Sequence, residues 1–189
     1  MGIESPFGAG EAIVAAALRA RELIKASRRH LSDGGLFYSE DFDPQDAPSG
    51  PRIVFCEGFR VRDNPWFSPL PFAPVRGEIL ELDDPRIDFL NGGTWFLPQG
   101  PGKALAGSTF DWDDLESGPT DEGTKRIMEG LSYLNAPKPS VTGQRSGVRP
   151  GTRDRMPIMG THPKKPSMSI FNGFGSRGGT LIPLCAELF

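Results

Sequence analysis

The residues best suited to chemistry lie in the last third of the chain. Ile170-Phe171-Asn172-Gly173-Phe174-Gly175-Ser176-Arg177-Gly178-Gly179-Thr180-Leu181 reads as a strand, a glycine-rich loop and the start of a helix. The first backbone N–H groups of a helix have no intrahelical acceptor and carry the positive end of its dipole, so they suit negative charge. Glycines let a backbone approach a flat ligand closely. A plain tight turn without a ligand is the competing reading of this stretch. Upstream, Ser146-Gly147-Val148-Arg149-Pro150 places an arginine ahead of a proline. Pro150 removes a backbone donor and stiffens the segment. A guanidinium held there can bind a carboxylate through two parallel hydrogen bonds. Arg145, Arg149, Arg153 and Arg155, with Asp154 among them, form the densest cationic cluster. A solvated surface loop is the simpler reading of that cluster.

Other candidates are weaker. His30 and His162 are the only histidines, both in polar contexts, and neither is expected to be catalytic. Asp111, Asp113 and Asp114 fit no metal-loop spacing and read as a solvated acidic turn. Cys56 and Cys185 fit neither a metal site nor a disulfide framework. Gly8-Ala9-Gly10-Glu11-Ala12-Ile13 approaches a G-x-G-x-x-G fingerprint. It is rejected, because no strand is expected before it and the third glycine is Ile13.

The elements that must position these residues follow from pattern. Residues 11–31 have high helix propensity; a strand over 12–17 followed by a helix over 19–32 is the alternative. Gly34-Gly35 ends the helix in either case. Residues 52–56 form a continuous apolar run ending at Glu57-Gly58, as in a buried parallel strand. Residues 63–74 read as a proline and aromatic loop, and 75–82 as a half-buried strand. Residues 94–97 and 103–110 read as an antiparallel hairpin. Thr120 caps a helix over 120–134, with Asp121 and Glu122 in its first turn. A strand over 169–172 leads through the glycine loop to a helix over 180–189, with Pro183 early in it.

Composition sets outer bounds. The chain of 189 residues is 37% apolar, 24% charged and 10% aromatic, enough for a packed core. Its 24 glycines and 19 prolines are spread among apolar residues, which points to short elements and tight turns. The 21 Lys and Arg are dispersed and the net charge is −3, so no nucleic-acid partner is expected. No apolar run approaches the roughly 18 residues of a membrane span. No signal peptide is read at the N-terminus, and a reducing cytoplasm is the default.

Taken together, the motifs resemble FAD-dependent oxidoreductases of the D-amino acid oxidase and glycine oxidase type. The resembling pieces occur in the family's order. They are Ile53-Val54-Phe55-Cys56-Glu57-Gly58, Pro74-Val75-Arg76-Gly77-Glu78, Gly147-Val148-Arg149-Pro150, Asp154-Arg155-Met156-Pro157-Ile158-Met159-Gly160, and the glycine loop. The resemblance covers roughly residues 19 to 189 and implies FAD as cofactor. It implies that Arg149 binds a substrate carboxylate. It further implies that Gly173, Phe174, Gly175, Ser176, Arg177, Gly178 and Gly179 lie over the flavin's pyrimidine edge. A reduced flavin is anionic there, which suits a helix N-terminus. Cys56, Glu57 and Gly58 fall where the family's strand end approaches the cofactor. Glu57 is larger than the usual small residue, and Phe174 stands where the family often has His. The catalytic role implied is oxidation of the C–N bond of an amino acid or amine by hydride transfer to flavin. The open alternative is an inactive fragment, or an anionic small-molecule binding module without stable FAD.

The expected fold is α/β (α+β), an antiparallel-sheet substrate domain plus a partial Rossmann-type FAD-binding domain. The sheet is expected over 75–82, 94–97 and 103–110, covered by the helix over 120–134. Its expected divisions are a helix and linker over 1–50, an FAD-domain strand over 51–62, a substrate domain over 63–145, and a flavin-facing part over 146–189. The family's first βαβ unit is expected to be missing, making the chain a fragment. That would leave the strand over 52–56 with an open edge and permit a homo-oligomer.

Overall fold

A computed structural model of the chain describes every residue except 1–7, 13–15, 48–49 and 136. In chain order, its first elements are α1 (Ala20–Asp33), β1 (Ile53–Phe55), β2 (Val75–Asp83), β3 (Leu90–Asn91), β4 (Trp95–Gly100) and β5 (Lys103–Gly107). There follow α2 (Asp121–Gly130), β6 (Ser140–Arg149), β7 (Ile158–His162), β8 (Lys165–Asn172) and α3 (Gly178–Leu188). The chain divides into two compact units, Ala73–Pro150 with Met1–Gly10, and Glu11–Phe72 with Gly151–Phe189.

The first unit is built on a five-stranded sheet in the order β3-β4-β5-β2-β6, and its neighbours pair antiparallel. Side chains alternate across a strand, so Leu80 and Leu82 of β2 share a face with Phe96, Ala104 and Ala106. That face is buried under Ile127 of α2 with Leu131 and Leu134 beyond it. α2 begins where expected, because the Thr120 hydroxyl accepts the Gly123 N–H at 3.0 Å. It stops at Gly130 rather than 134. Glycine is a poor helix former, yet no larger residue fits here: a Cβ at Gly130 would lie 2.0 Å from Thr94 Oγ1.

Two features of this sheet differ from expectation. The hairpin strands are shifted to Trp95–Gly100 and Lys103–Gly107. Residues 140–149 form β6, an edge strand that the sequence pattern does not reveal. With Gly143 and Gly147 and few apolar residues, β6 has little intrinsic strand signal. Its pairing with β2 supplies what propensity does not.

The second unit carries a three-stranded sheet, β1-β8-β7. β1 runs parallel to β8, as its continuous apolar run led us to expect, with Phe55 opposite Ile170. β7 is antiparallel to β8, and it is a second strand not read from sequence. Phe55, Val61, Phe67, Met168 and Ile170 form the core. The Phe55 and Phe67 rings lie 5.5 Å apart in a tilted pair. α1 forms from good helix formers and ends at Gly34-Gly35, where Gly35 has φ +66°. It has no buried residue, and Leu23, Ile24 and Leu31 are exposed. Residues 16 and 17 are not strand, and 13–15 of the alternative strand lie outside the described residues. α3 starts at Gly178, so Pro183 sits well inside it rather than in its first turn. Among the described residues, no helix is long and apolar enough to cross a membrane.

Candidate functional site

Arg149 ends β6 in the first unit. The register pairs Val75 with Arg149 and Gly77 with Gly147. Arg149 therefore belongs to the sheet face that carries Gly77, opposite the face covered by α2. On the other side of β2, the chain after β5 runs alongside. Thr109 N–H donates to Glu78 O at 3.2 Å, and Arg76 and Asp111 exchange backbone hydrogen bonds at 2.8 and 2.9 Å. Gly77 thus lies between two flanking segments. The Arg149 guanidinium occupies the space its missing side chain leaves.

That guanidinium is half-buried. Nη2 donates to Ser108 Oγ at 2.8 Å and Nη1 to the Thr109 carbonyl at 3.3 Å. Its carbon lies 4.7 Å from the centroid of the Phe110 ring. All these partners are neutral, and no ion pair is formed by Arg149 among the described residues. Burial pushes its pKa down from the usual value with no carboxylate to offset it. A cation desolvated without a counter-ion favours an anionic ligand.

Arg76 is the contrasting case. It is buried, pairs with Glu78 at 2.9 Å and Asp111 at 2.9 Å, and donates to the carbonyls of Asp114 and Gly118. Asp111 also accepts the N–H groups of Asp113 and Asp114. The acidic turn is therefore a clamp on Arg76. Among the described residues there is no group able to hold a metal ion.

The glycine loop lies in the second unit. Because β1 and β8 are parallel, Cys56, Glu57 and Gly58 follow β1 at the same sheet end where Asn172 ends β8. Asn172 joins the two segments. Its Nδ2 donates to the Gly58 carbonyl at 2.8 Å, and its Oδ1 accepts the Gly173 N–H at 2.8 Å. The carboxyl ends of parallel strands are where open α/β sheets bind ligands. Gly173 has φ +82°, and a Cβ there would meet Thr152 Cγ2 at 2.8 Å. Phe174 is buried against Phe171, with ring centroids 4.8 Å apart. Gly175 has φ +53° and opens the turn over Ser176 and Arg177, both exposed. Gly178 and Gly179 form the first turn of α3, whose N-terminus has no side-chain cap.

The start of α3, with no side-chain cap, fits a flat, anionic cofactor edge, whereas the space beside Gly173 is filled by Thr152 of the same chain. Glu57 is held by Asn64 Nδ2 at 2.8 Å, which fixes the one oversized side chain at this strand end. Partial desolvation, then the Glu57 charge, raise the Cys56 thiol above its ordinary range. His162 stacks edge-on against Trp66 and Phe67, and its Nδ1 accepts the Lys164 N–H. His30 is exposed on α1. Gly8 and Gly10 are exposed, and the segment expected to lack a strand before them lies outside the described residues.

The sequence motifs did not include Ser108 or Phe110, and they did not show the roles of Asn172 and Gly77. One signal was present, since a glycine inside a strand marks a close approach of another group.

Comparison with known proteins places the chain. The sequence model of the family described as FAD dependent oxidoreductase matches residues 10–189. The bifunctional protein for tRNA 5-methylaminomethyl-2-thiouridine biosynthesis from Aromatoleum aromaticum is 27% identical over 90% of this chain and 30% of its own length. Its counterpart from Marinobacter nauticus is 33% identical over 62% of this chain and 21% of its own length. The chain therefore spans less than a third of these relatives. Glycine oxidase from Geobacillus kaustophilus has the same fold, with TM-score 0.63 at 22% identity over 72% of this chain and 40% of its own. Iminodiacetate oxidase from a Chelativorans species gives TM-score 0.63 at 22% identity over 75% of this chain and 42% of its own. The fold is the expected mixed α/β one. The expectation that excluded nucleic acid finds no support in relatives named for tRNA biosynthesis.

Proposed function

This chain belongs to the FAD dependent oxidoreductase family, and on that premise we propose that it helps oxidise a C–N bond in a carboxylate-bearing amine or amino acid. Its contribution is the substrate anchor and the flavin-facing loop. The observation that carries this reading is the half-buried Arg149 guanidinium, held by neutral partners and without a carboxylate. A guanidinium has more donors than Ser108 and Thr109 use, so it can still grip a substrate carboxylate. When bound, FAD supplies the hydride acceptor, and the amine leaves as an imine. Arg149 fixes the carboxylate end of the substrate. The N–H groups at the start of α3 stabilise negative charge on the cofactor edge. Gly173 and Gly175 supply the positive-φ backbone of the loop, and Asn172 holds it to Gly58. A substrate amine that arrives neutral needs no general base from the chain.

A second reading concerns what carries the amine. Phe110 and Trp112 are exposed, and their rings stack at 6.0 Å with an interplanar angle of 21°. Paired aromatics beside an arginine can stack a nucleobase, and the curated relatives are named for a tRNA modification. A substrate amine attached to tRNA is consistent with both. The remaining alternative is a module that binds anionic small molecules without retaining FAD.

Binding separates these readings. FAD is added to the purified chain and its fluorescence followed; benzoate is then titrated as a planar carboxylate without an amine. The proposal expects FAD uptake, and at least about tenfold weaker benzoate binding in Arg149→Ala, the scale of a lost charged hydrogen bond of about 1.5–3 kcal/mol. A chain that binds benzoate but takes up no FAD supports the binding module. Equal benzoate affinity in Arg149→Ala overturns the anchor.

A further inference from the structure

We propose that Gly77, Ser108 and Phe110 are positioning residues forming a neutral seat that orients the Arg149 guanidinium for an in-plane, two-point grip on a carboxylate. The inference rests on the reading of Arg149 as a carboxylate anchor. It adds what makes that arginine an anchor rather than a mobile surface cation.

The geometry is specific. A Cβ built on Gly77 would lie 2.1, 2.2 and 2.4 Å from Nη1, Nη2 and Cζ of Arg149. Those are distances at which atoms cannot coexist, so the flat guanidinium lies where a side chain at position 77 would be. The Phe110 ring lies 4.7 Å from Cζ, an attractive cation–π contact. Ser108 Oγ, 2.8 Å from Nη2, and the Thr109 carbonyl, 3.3 Å from Nη1, fix rotation within the plane. Three restraints of different kind thus hold a planar group that otherwise loses much rotamer freedom on binding. None of them carries charge, so none competes with an incoming anion. Arg76, one residue before Gly77, shows the opposite design: two carboxylates neutralise it. A lysine at 149 would not do the same work, because an ammonium is a point charge that cannot lie flat in this space.

The register explains why the seat forms here. β2 pairs with β6 on one side and with the segment after β5 on the other, so Gly77 is flanked by 147–149 and 108–111 together. Alternation puts Glu78 on the α2 face and leaves the Gly77 face for the guanidinium.

The test is a double-mutant cycle on benzoate binding to the full chain, with guanidinium NMR as a second readout. Gly77→Ala is expected to weaken benzoate about tenfold in the wild-type background and to have almost no effect in Arg149→Ala. Phe110→Leu should weaken it about threefold, whereas Phe110→Tyr, which keeps the ring face, should retain the affinity. In the NMR experiment, rotation about the Arg149 Nε–Cζ bond should be hindered in the wild type and fast in Gly77→Ala. If Gly77→Ala lowers affinity equally in both backgrounds, or Phe110→Leu matches the wild type, the seat is overturned. Loss of binding in Arg149→Ala would then still leave the anchor standing. If Arg149→Ala itself changes nothing but hindered rotation is lost in Gly77→Ala, the seat stands and the carboxylate reading falls.

Discussion

Glu78→Gln is the sharpest perturbation of the first unit, because it keeps shape and removes charge. Glu78 is 2% exposed. Oε1 accepts from Arg76 Nη1 and the Thr120 hydroxyl, each at 2.9 Å. Oε2 accepts from the Thr120 N–H at 2.9 Å and from Gln144 Nε2 at 2.6 Å. All four partners donate, and an amide has only one acceptor oxygen. Gln144 cannot reverse its amide without losing its own bonds to Thr124 Oγ1 and the Thr120 carbonyl. The least costly arrangement therefore puts the new nitrogen at the Oε1 position, where the Thr120 hydroxyl can turn but Arg76 cannot. That sacrifices one charged hydrogen bond, worth about 1.5–3 kcal/mol, and leaves Asp111 as the one carboxylate paired directly with Arg76 among the described residues. The two retained bonds weaken from charged to neutral strength. The expected loss is about 3 kcal/mol, near the lower end of the range for breaking a buried ion pair. In urea unfolding, that lowers the midpoint by about 1–3 M with the slope unchanged, for slopes of about 1–3 kcal/mol/M. A loss below about 1 kcal/mol would refute the argument that this carboxylate joins β2, α2 and the 111–118 loop.

Acid should weaken the fold in a defined window. Asp111 is held below the ordinary carboxylate range first by the Asp114 N–H and then by Arg76. Asp114 is lowered by Ser117, and Asp154 by the Met156 N–H. Native values below unfolded ones mean that their stabilisation is complete above about pH 4–5 and lost as pH falls through the depressed values. A urea midpoint unchanged between about pH 5 and pH 3 would contradict this. The second unit should associate as concentration rises, because among the described residues β1 has β8 as its sole strand neighbour and Val54 is exposed. Sedimentation should show the association weakened by Val54→Lys, and a monomer at all concentrations would count against it.

The legible parts of the fold were those with local signals. Thr120 announced α2 through its cap, Gly34-Gly35 announced the end of α1, and the run 53–55 announced a parallel strand. β6 and β7 escaped because their strand character comes from pairing with β2 and β8, not from their own residues. Arg149 was singled out in the sequence because Pro150 follows it and because of the surrounding family motif. Its seat was not, since Gly77, Ser108 and Phe110 meet it only through register across two strand pairings. Asp111 was read as solvated, and its tie to Arg76 depends on a chain return that no local pattern encodes.

Substrate reduction of bound flavin tests the carboxylate anchor most directly. The chain is supplied with FAD under anaerobic conditions, and loss of the oxidised flavin's visible absorption is followed after adding N-methylglycine or N-methylethylamine. Bleaching is expected with the carboxylate-bearing amine, little with its carboxylate-free analogue, and that preference should be lost in Arg149→Ala. No bleaching by either amine, or equal bleaching by both, would contradict it.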